Sequence, residues 1–242
     1  KGKYMIGLGT AINIGLIIAG SLCGLAFGRF MKENLKQTLM MVSGIIVLLL
    51  GMSGAMQYML VIVNGTLQTT GPMLMIISMV AGAVIGELID LNRWITVFGD
   101  WVKAKTGNTG DPQFTHAFIT ASLTFTVGAM GVLGSIQDGL TGNYQTLLLK
   151  GILDGIIVMV MVSSMGKGAL FSFIPVGITQ WIITAMAHIA APLMTPSAID
   201  NLSYVGSILI FCVGIDLIWP GKIRIANLLP AIFVAMGLTF LL

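Results

Sequence analysis

Charge is what this sequence has least of. Across 242 residues, Asp, Glu, Lys and Arg make up 9%, where a soluble domain carries about 25%. A chain of this length hides roughly 60–70% of its surface on folding, and the remainder would still have to be made from a composition that is 56% hydrophobic. That excludes an ordinary water-facing surface and points to lipid as the solvent. Histidine and cysteine are equally scarce, at two each. Cys23 and Cys212 lie inside apolar runs, where a thiol behaves as a small hydrophobe and no disulfide framework is implied. His116 and His188 fall near opposite membrane faces, so they cannot share one metal ion. No metalloprotease motif, phosphate-binding glycine loop or grouping of nucleophile, base and acid is legible, so no metal, cofactor or enzymatic activity is expected. The net charge of +3 is spread over short loops, which argues against a nucleic-acid partner.

What is there is apolar length. Windows of about 20 residues predict eight spans: Met5 to Phe27, Thr38 to Tyr58, Met73 to Ile89, His116 to Ile136, Tyr144 to Ser164, Ala169 to Ala191, Ile199 to Trp219, and Ile223 to Leu242. The fold class is therefore all-α, a polytopic transmembrane helix bundle forming a single integral membrane domain over 1–242. Alternating the loops sends Arg29, Lys32 and Lys36, then Arg93, Lys103 and Lys105, then Lys167, then Lys222 and Arg224 to one side. The other side keeps Asp138 and Asp200, once Lys1 to Tyr4 are set aside as an expression remnant before Met5. By the positive-inside rule the basic side is cytoplasmic, which places both termini outside. Residues 90–105 are too polar to span. There Trp94, Phe98, Trp101 and Val102 recur at helical spacing between charged residues, as in an amphipathic helix lying in the cytoplasmic interface.

Val42, Ile45 and Gly51 on the second span match Val205, Ile208 and Gly214 on the seventh, and these two spans run in opposite directions. The match suggests an inverted repeat of spans one to three and six to eight, flanking spans four and five, or a chance likeness of two glycine-containing helices. Gly20, Gly24 and Gly28, and likewise Gly82 and Gly86, form stripes suited to close helix contact or to a homo-oligomer.

Polar residues within apolar spans are the functional candidates. Lys150 and Asp154 stand one helical turn apart on the fifth span, where a charge costs about 2.5–3.5 kcal/mol to insert. They can pair with each other, either as part of a site or as a static lock. Span four, with Thr124, Thr126, Gly128, Gly131 and Gly134, packs tightly or breaks to offer backbone groups to a solute. Asn13 and Gln180, near mid-span, either bond across helices or join the pair in one binding site. Gln137, Asp138 and Asn143 are read as a hydrated outer vestibule, and Pro230 as a kink in the last span.

The stretches Ile6-Gly7-Leu8-Gly9-Thr10-Ala11-Ile12-Asn13, Gly82-Ala83-Val84-Ile85-Gly86-Glu87 and Asn227-Leu228-Leu229-Pro230-Ala231 carry a resemblance. So, most specifically, does Gln137-Asp138-Gly139-Leu140-Thr141-Gly142 followed by Lys150 and Asp154. Together these resemble the bacterial membrane family called domain of unknown function 554. The resemblance implies a bacterial inner-membrane protein, a candidate transporter, and marks Asp138, Lys150 and Asp154 as motif positions. The expectation is a carrier that binds a small solute or ion at Asp154, Lys150, Asn13, Thr124, Thr126 and Gln180. An oligomeric channel is the alternative, and a membrane scaffold that moves no solute the third reading.

Overall fold

Apolar helices dominate the computed structural model, which describes residues 5–193 and 195–240; the opening Lys1 to Tyr4 lie outside them. Among these described residues, six helices are long and apolar enough to cross a membrane. They include α1 (Leu8–Gly28), α2 (Glu33–Met59), α3 (Pro72–Ile89) and α7 (Gln145–Met165). The 3-10 turn Lys167–Ser172 with α8 (Phe173–Ala185), and α10 (Pro196–Ile218), complete the set. Between them lie α4 (Leu91–Lys105), α5 (Phe114–Thr126), α6 (Ala129–Thr141) and the short α9 (Ala187–Ala190). α11 (Pro230–Leu238) closes the described chain.

Two windows differ from the expectation of eight plain spans. The fourth is α5 and α6, bent by 60° at a break, where Gly128 takes a φ of 153° that only glycine adopts freely. The eighth holds a shorter apolar helix, Ile225–Leu238, about 21 Å long at 1.5 Å per residue against a hydrocarbon core of about 30 Å. Pro230 does not kink this segment internally. It occupies the first turn of α11, where its missing N–H costs nothing, after a 3-10 turn at Ile225–Leu228.

The chain forms two compact units. The first comprises Lys1–Ser43, Thr96–Thr126 and Met130–Leu193. Its centre is the contact of α1 with α7, made possible by small residues. Gly20 lies against the backbone of Gly155, Gly24 against Met159 and Gly28 against Ser163, so the two backbones touch where side chains would hold them apart. Ser163 Oγ, 3.1 Å from Gly24 O, adds a hydrogen bond across the seam. In the same unit Phe114 and Phe118 of α5 pack with Val102, while Val97 and Trp101 of α4 remain exposed.

The second unit comprises Gly44–Ile95, Val127–Ala129 and Met194–Leu242. Here Gly51 of α2 packs on Phe211 of α10, and Gly214 of α10 packs on Leu48 of α2. Gly82 and Gly86 of α3 lie against Ala231 and Asn227. Both glycine stripes are therefore consumed by contacts inside the chain. This is the close helix contact that their spacing suits. α10 opens on Thr195, whose hydroxyl accepts the Ala198 N–H, followed by Pro196 in the first turn.

One element went unread in the sequence. β1 (Leu60–Val63) and β2 (Thr66–Thr69) form an antiparallel hairpin in which Val63 pairs with Thr66. Asn64 and Gly65 both have positive φ, as a two-residue hairpin turn requires, and the Asn-Gly dipeptide between two β-prone runs was the available signal.

Candidate functional site

Asp154 lies close to the middle of α7, about 13 Å from its start and 16 Å from its end at 1.5 Å per residue. Lys150 Nζ donates to Asp154 Oδ2 one turn away. Both residues are only 7% exposed. Gly151 and Gly155 on the same stretch admit α1 closely enough that a methyl at Gly151 would stand 3.1 Å from Asn13 Oδ1. Asn13 is fully buried and faces Asp154, yet neither atom of its amide completes a well-formed hydrogen bond.

On the other side of Lys150 lies the broken helix. Gly131, in the first turn of α6, is bordered by the Lys150 side chain and by Gln180 Nε2 of α8. Gln180 is 3% exposed and, like Asn13, has both amide atoms without a hydrogen-bond partner. Thr126, the last residue of α5, shares a small cavity with Gly131 and Gln180. That cavity holds about one water molecule. The Thr126 hydroxyl is buried and unpartnered as well. The first unit thus brings Thr126, Gln180, Lys150, Asp154 and Asn13 from four segments of the chain into one continuous buried cluster beside a helix break.

An unpartnered buried amide costs about 1–3 kcal/mol per polar group, so groups left this way at one place are rarely there for packing alone. The donor and acceptor set is chemically complete: an ammonium, a carboxylate, two carboxamides and a hydroxyl. It suits a small polar or charged species, and among the described residues no His, Cys or additional carboxylates gather there as a transition-metal site would need.

Thr124 does not join this cluster. Its hydroxyl donates to Thr120 O at 2.8 Å within its own helix, and two residues of helix, about 200° of rotation, separate it from the face that Thr126 presents.

The outer-vestibule expectation also needs correcting. Asp138 is fully buried, and its carboxylate accepts the N–H groups of Gly7 at 3.2 Å, Gly9 at 3.0 Å and Thr10 at 3.3 Å. These are unsatisfied donors at the start of α1. Gly7 has no side chain with which to cap them, so α6 supplies the acceptor from across the fold. The positive end of the α1 dipole draws the same charge inward. Gln137, half-buried, accepts the Thr146 hydroxyl at 2.7 Å and ties α6 to α7. Of the three, only Asn143 remains on an exposed turn, accepting the Gln145 N–H. Thr184 completes a second tie. Its hydroxyl donates to Ser135 O at 3.2 Å and stands 3.5 Å from that of Thr10.

The protein family described as "Protein of unknown function (DUF554)" matches residues 8–240. Among similar proteins, the uncharacterized membrane protein YdfK of Bacillus subtilis is 27% identical over 235 residues, covering 97% of this chain and 96% of its own. The uncharacterized protein YqgA of Escherichia coli is 24% identical over 240 residues, covering 96% of each chain. No solved structure matches.

Proposed function

The chain belongs to the DUF554 family, and from that premise we propose that it is a membrane carrier of a small solute or ion, working through the cluster around Lys150 and Asp154. The observation that carries this reading is the convergence of two charged and three polar side chains around the middle of α7, with both amides unpartnered. Ionisable residues inside a membrane are retained where they face a pathway or a partner. A discontinuous helix beside them is a recurrent means of presenting backbone groups to a solute. A carrier is favoured over an open pore because the space at Gln180 and Thr126 admits about one water, as in a closed state of a site that opens by movement. In this cycle Asp154 holds a cation or proton, and Lys150 is the counter-ion that occupies the carboxylate between loads.

The repeat supports the same reading. In the register that matches Gly51 with Gly214, Leu48 matches Phe211, so the contacts Gly51 to Phe211 and Gly214 to Leu48 exchange into one another, as a two-fold relation requires. Our reading keeps the basic loops in the cytoplasm of a bacterial inner membrane, both termini outside, and α4 in the cytoplasmic interface with Trp94 and Trp101 toward lipid. It assigns the protein no enzymatic role, cofactor or nucleic-acid partner.

The test is flux in proteoliposomes. Purified protein should move protons or a monovalent cation saturably, read with an internal pH dye and ion-selective probes. Lys150→Met and Asp154→Leu should each abolish that flux. Wild-type flux in the double variant would remove the pair from the pathway.

A further inference from the structure

We propose that a second cavity of the first unit, unconnected with the carrier reading, binds the phosphate headgroup of an anionic membrane phospholipid. The cavity measures about 380 Å³ and is lined by the ends of several helices, among them Leu25 of α1 and Arg29, which caps its end, Lys36 of α2, Asp111 before α5, and Lys167 after α7. That size lies within the range of about 300–1,000 Å³ typical of small-molecule sites. Three cations against one carboxylate give the lining an excess of positive charge. Basic pockets among membrane helices at the surface level attract phosphate headgroups, and a guanidinium such as Arg29 matches phosphate geometry in two hydrogen bonds at once.

A lipid, rather than a free anion, is indicated by what adjoins the cavity. Leu22, Leu25 and Arg29 recur at three- and four-residue spacing and so share one face of α1. Leu22 is 56% exposed, leaving an apolar track that rises from the guanidinium into the hydrocarbon. Phe30, 88% exposed, and Leu35, 47% exposed, add apolar surface at the same level. A headgroup seated at Arg29 and Lys167 would lay an acyl chain along Leu25 and Leu22.

The experiment uses the full chain purified in a neutral detergent, with bound lipid counted by native mass spectrometry and stability followed by thermal melting. Phosphatidylglycerol should bind and raise the melting temperature, and phosphatidylcholine should do neither. The exposed pair Arg29→Gln with Lys167→Gln should weaken phosphatidylglycerol binding about tenfold or more, with an unchanged helical circular-dichroism spectrum. Arg29→Lys with Lys167→Arg should retain most of it, and Lys103→Gln with Lys105→Gln, outside the cavity, should bind as wild type. Equal binding of the two lipids, or phosphatidylglycerol binding unaffected by the Arg29 and Lys167 variant, would show that these cations only terminate helices. Inorganic phosphate that stabilises the protein as well as phosphatidylglycerol does, with the same loss in the double variant, would overturn the lipid assignment in favour of a soluble anion. Neither result touches the flux test of the Lys150 and Asp154 cluster.

Discussion

Single side chains in this protein do work that the apolar background makes expensive, and Asp138 is the clearest case. Its carboxylate serves three N–H groups of another helix while fully buried. Asp138→Ala should therefore lower stability by about 2–3 kcal/mol, the worth of hydrogen bonds to a charged group. Asp138→Asn, which keeps an acceptor without the charge, should lose about half as much. Melting of detergent-purified variants measures both, and a neutral Asp138→Ala would show that water replaces the carboxylate at the start of α1. The Lys150 and Asp154 pair answers to a different logic. Removing either partner strands the other in a dry site, so Lys150→Met and Asp154→Leu should each cost about 3–5 kcal/mol. The double variant should recover much of that loss, because two apolar side chains suit the same space. Additive losses in a double-mutant cycle would mean that the two charges do not stabilise each other.

At the scale of elements, the glycines separate into those that admit a neighbouring backbone and those that do not. A methyl at Gly20 would overlap the Gly155 carbonyl, whereas nothing stands within 4 Å of one at Gly15 on the same helix. Gly20→Ala should thus destabilise the α1 and α7 seam by about 1–3 kcal/mol. Gly15→Ala should be neutral or stabilise by up to about 1 kcal/mol through helix propensity. Equal melting temperatures for the two variants would contradict the seam. Gly128 tests the break between α5 and α6 in isolation. It has open space around it but a positive φ, so Gly128→Ala should cost about 1–3 kcal/mol from backbone strain alone. If the break serves transport, the same variant should lose flux beyond its loss of folded protein.

For the whole molecule, the segregation of basic loops is the basis of the proposed topology. With Cys23 and Cys212 replaced by serine, single cysteines at the exposed positions Asn143 and Asp200 should react with an impermeant maleimide added to intact cells. Those at Asn34 and Lys105 should react only after the membrane is opened. Outside labelling at Asn34 or Lys105 would reverse the orientation. Because Gly20, Gly24, Gly28, Gly82 and Gly86 are all engaged within the chain, substitutions there should act on the stability of one copy and not on association between copies.

Lipid is a demanding solvent, and for that reason the sequence alone settled a great deal: a membrane protein, a helical one, and the position of most helices. Every backbone polar group must be satisfied within the apolar layer, so twenty apolar residues in a row leave little choice but helix, and Lys150, Asp154, Asn13 and Gln180 stand out simply by being polar. What sequence reading could not decide was which side chains meet. Asp138 looks like part of a polar turn in one dimension; only the tertiary fold brings the uncapped start of α1 to it and withdraws it from water. Thr124 and Thr126 are indistinguishable by composition, and two residues of helix rotation send one hydroxyl to its own backbone and place the other residue in the lining of the small cavity it shares with Gln180. The glycine stripes announce close contact but not with whom, since small residues specify a distance of approach and leave the partner to the packing of the rest of the chain.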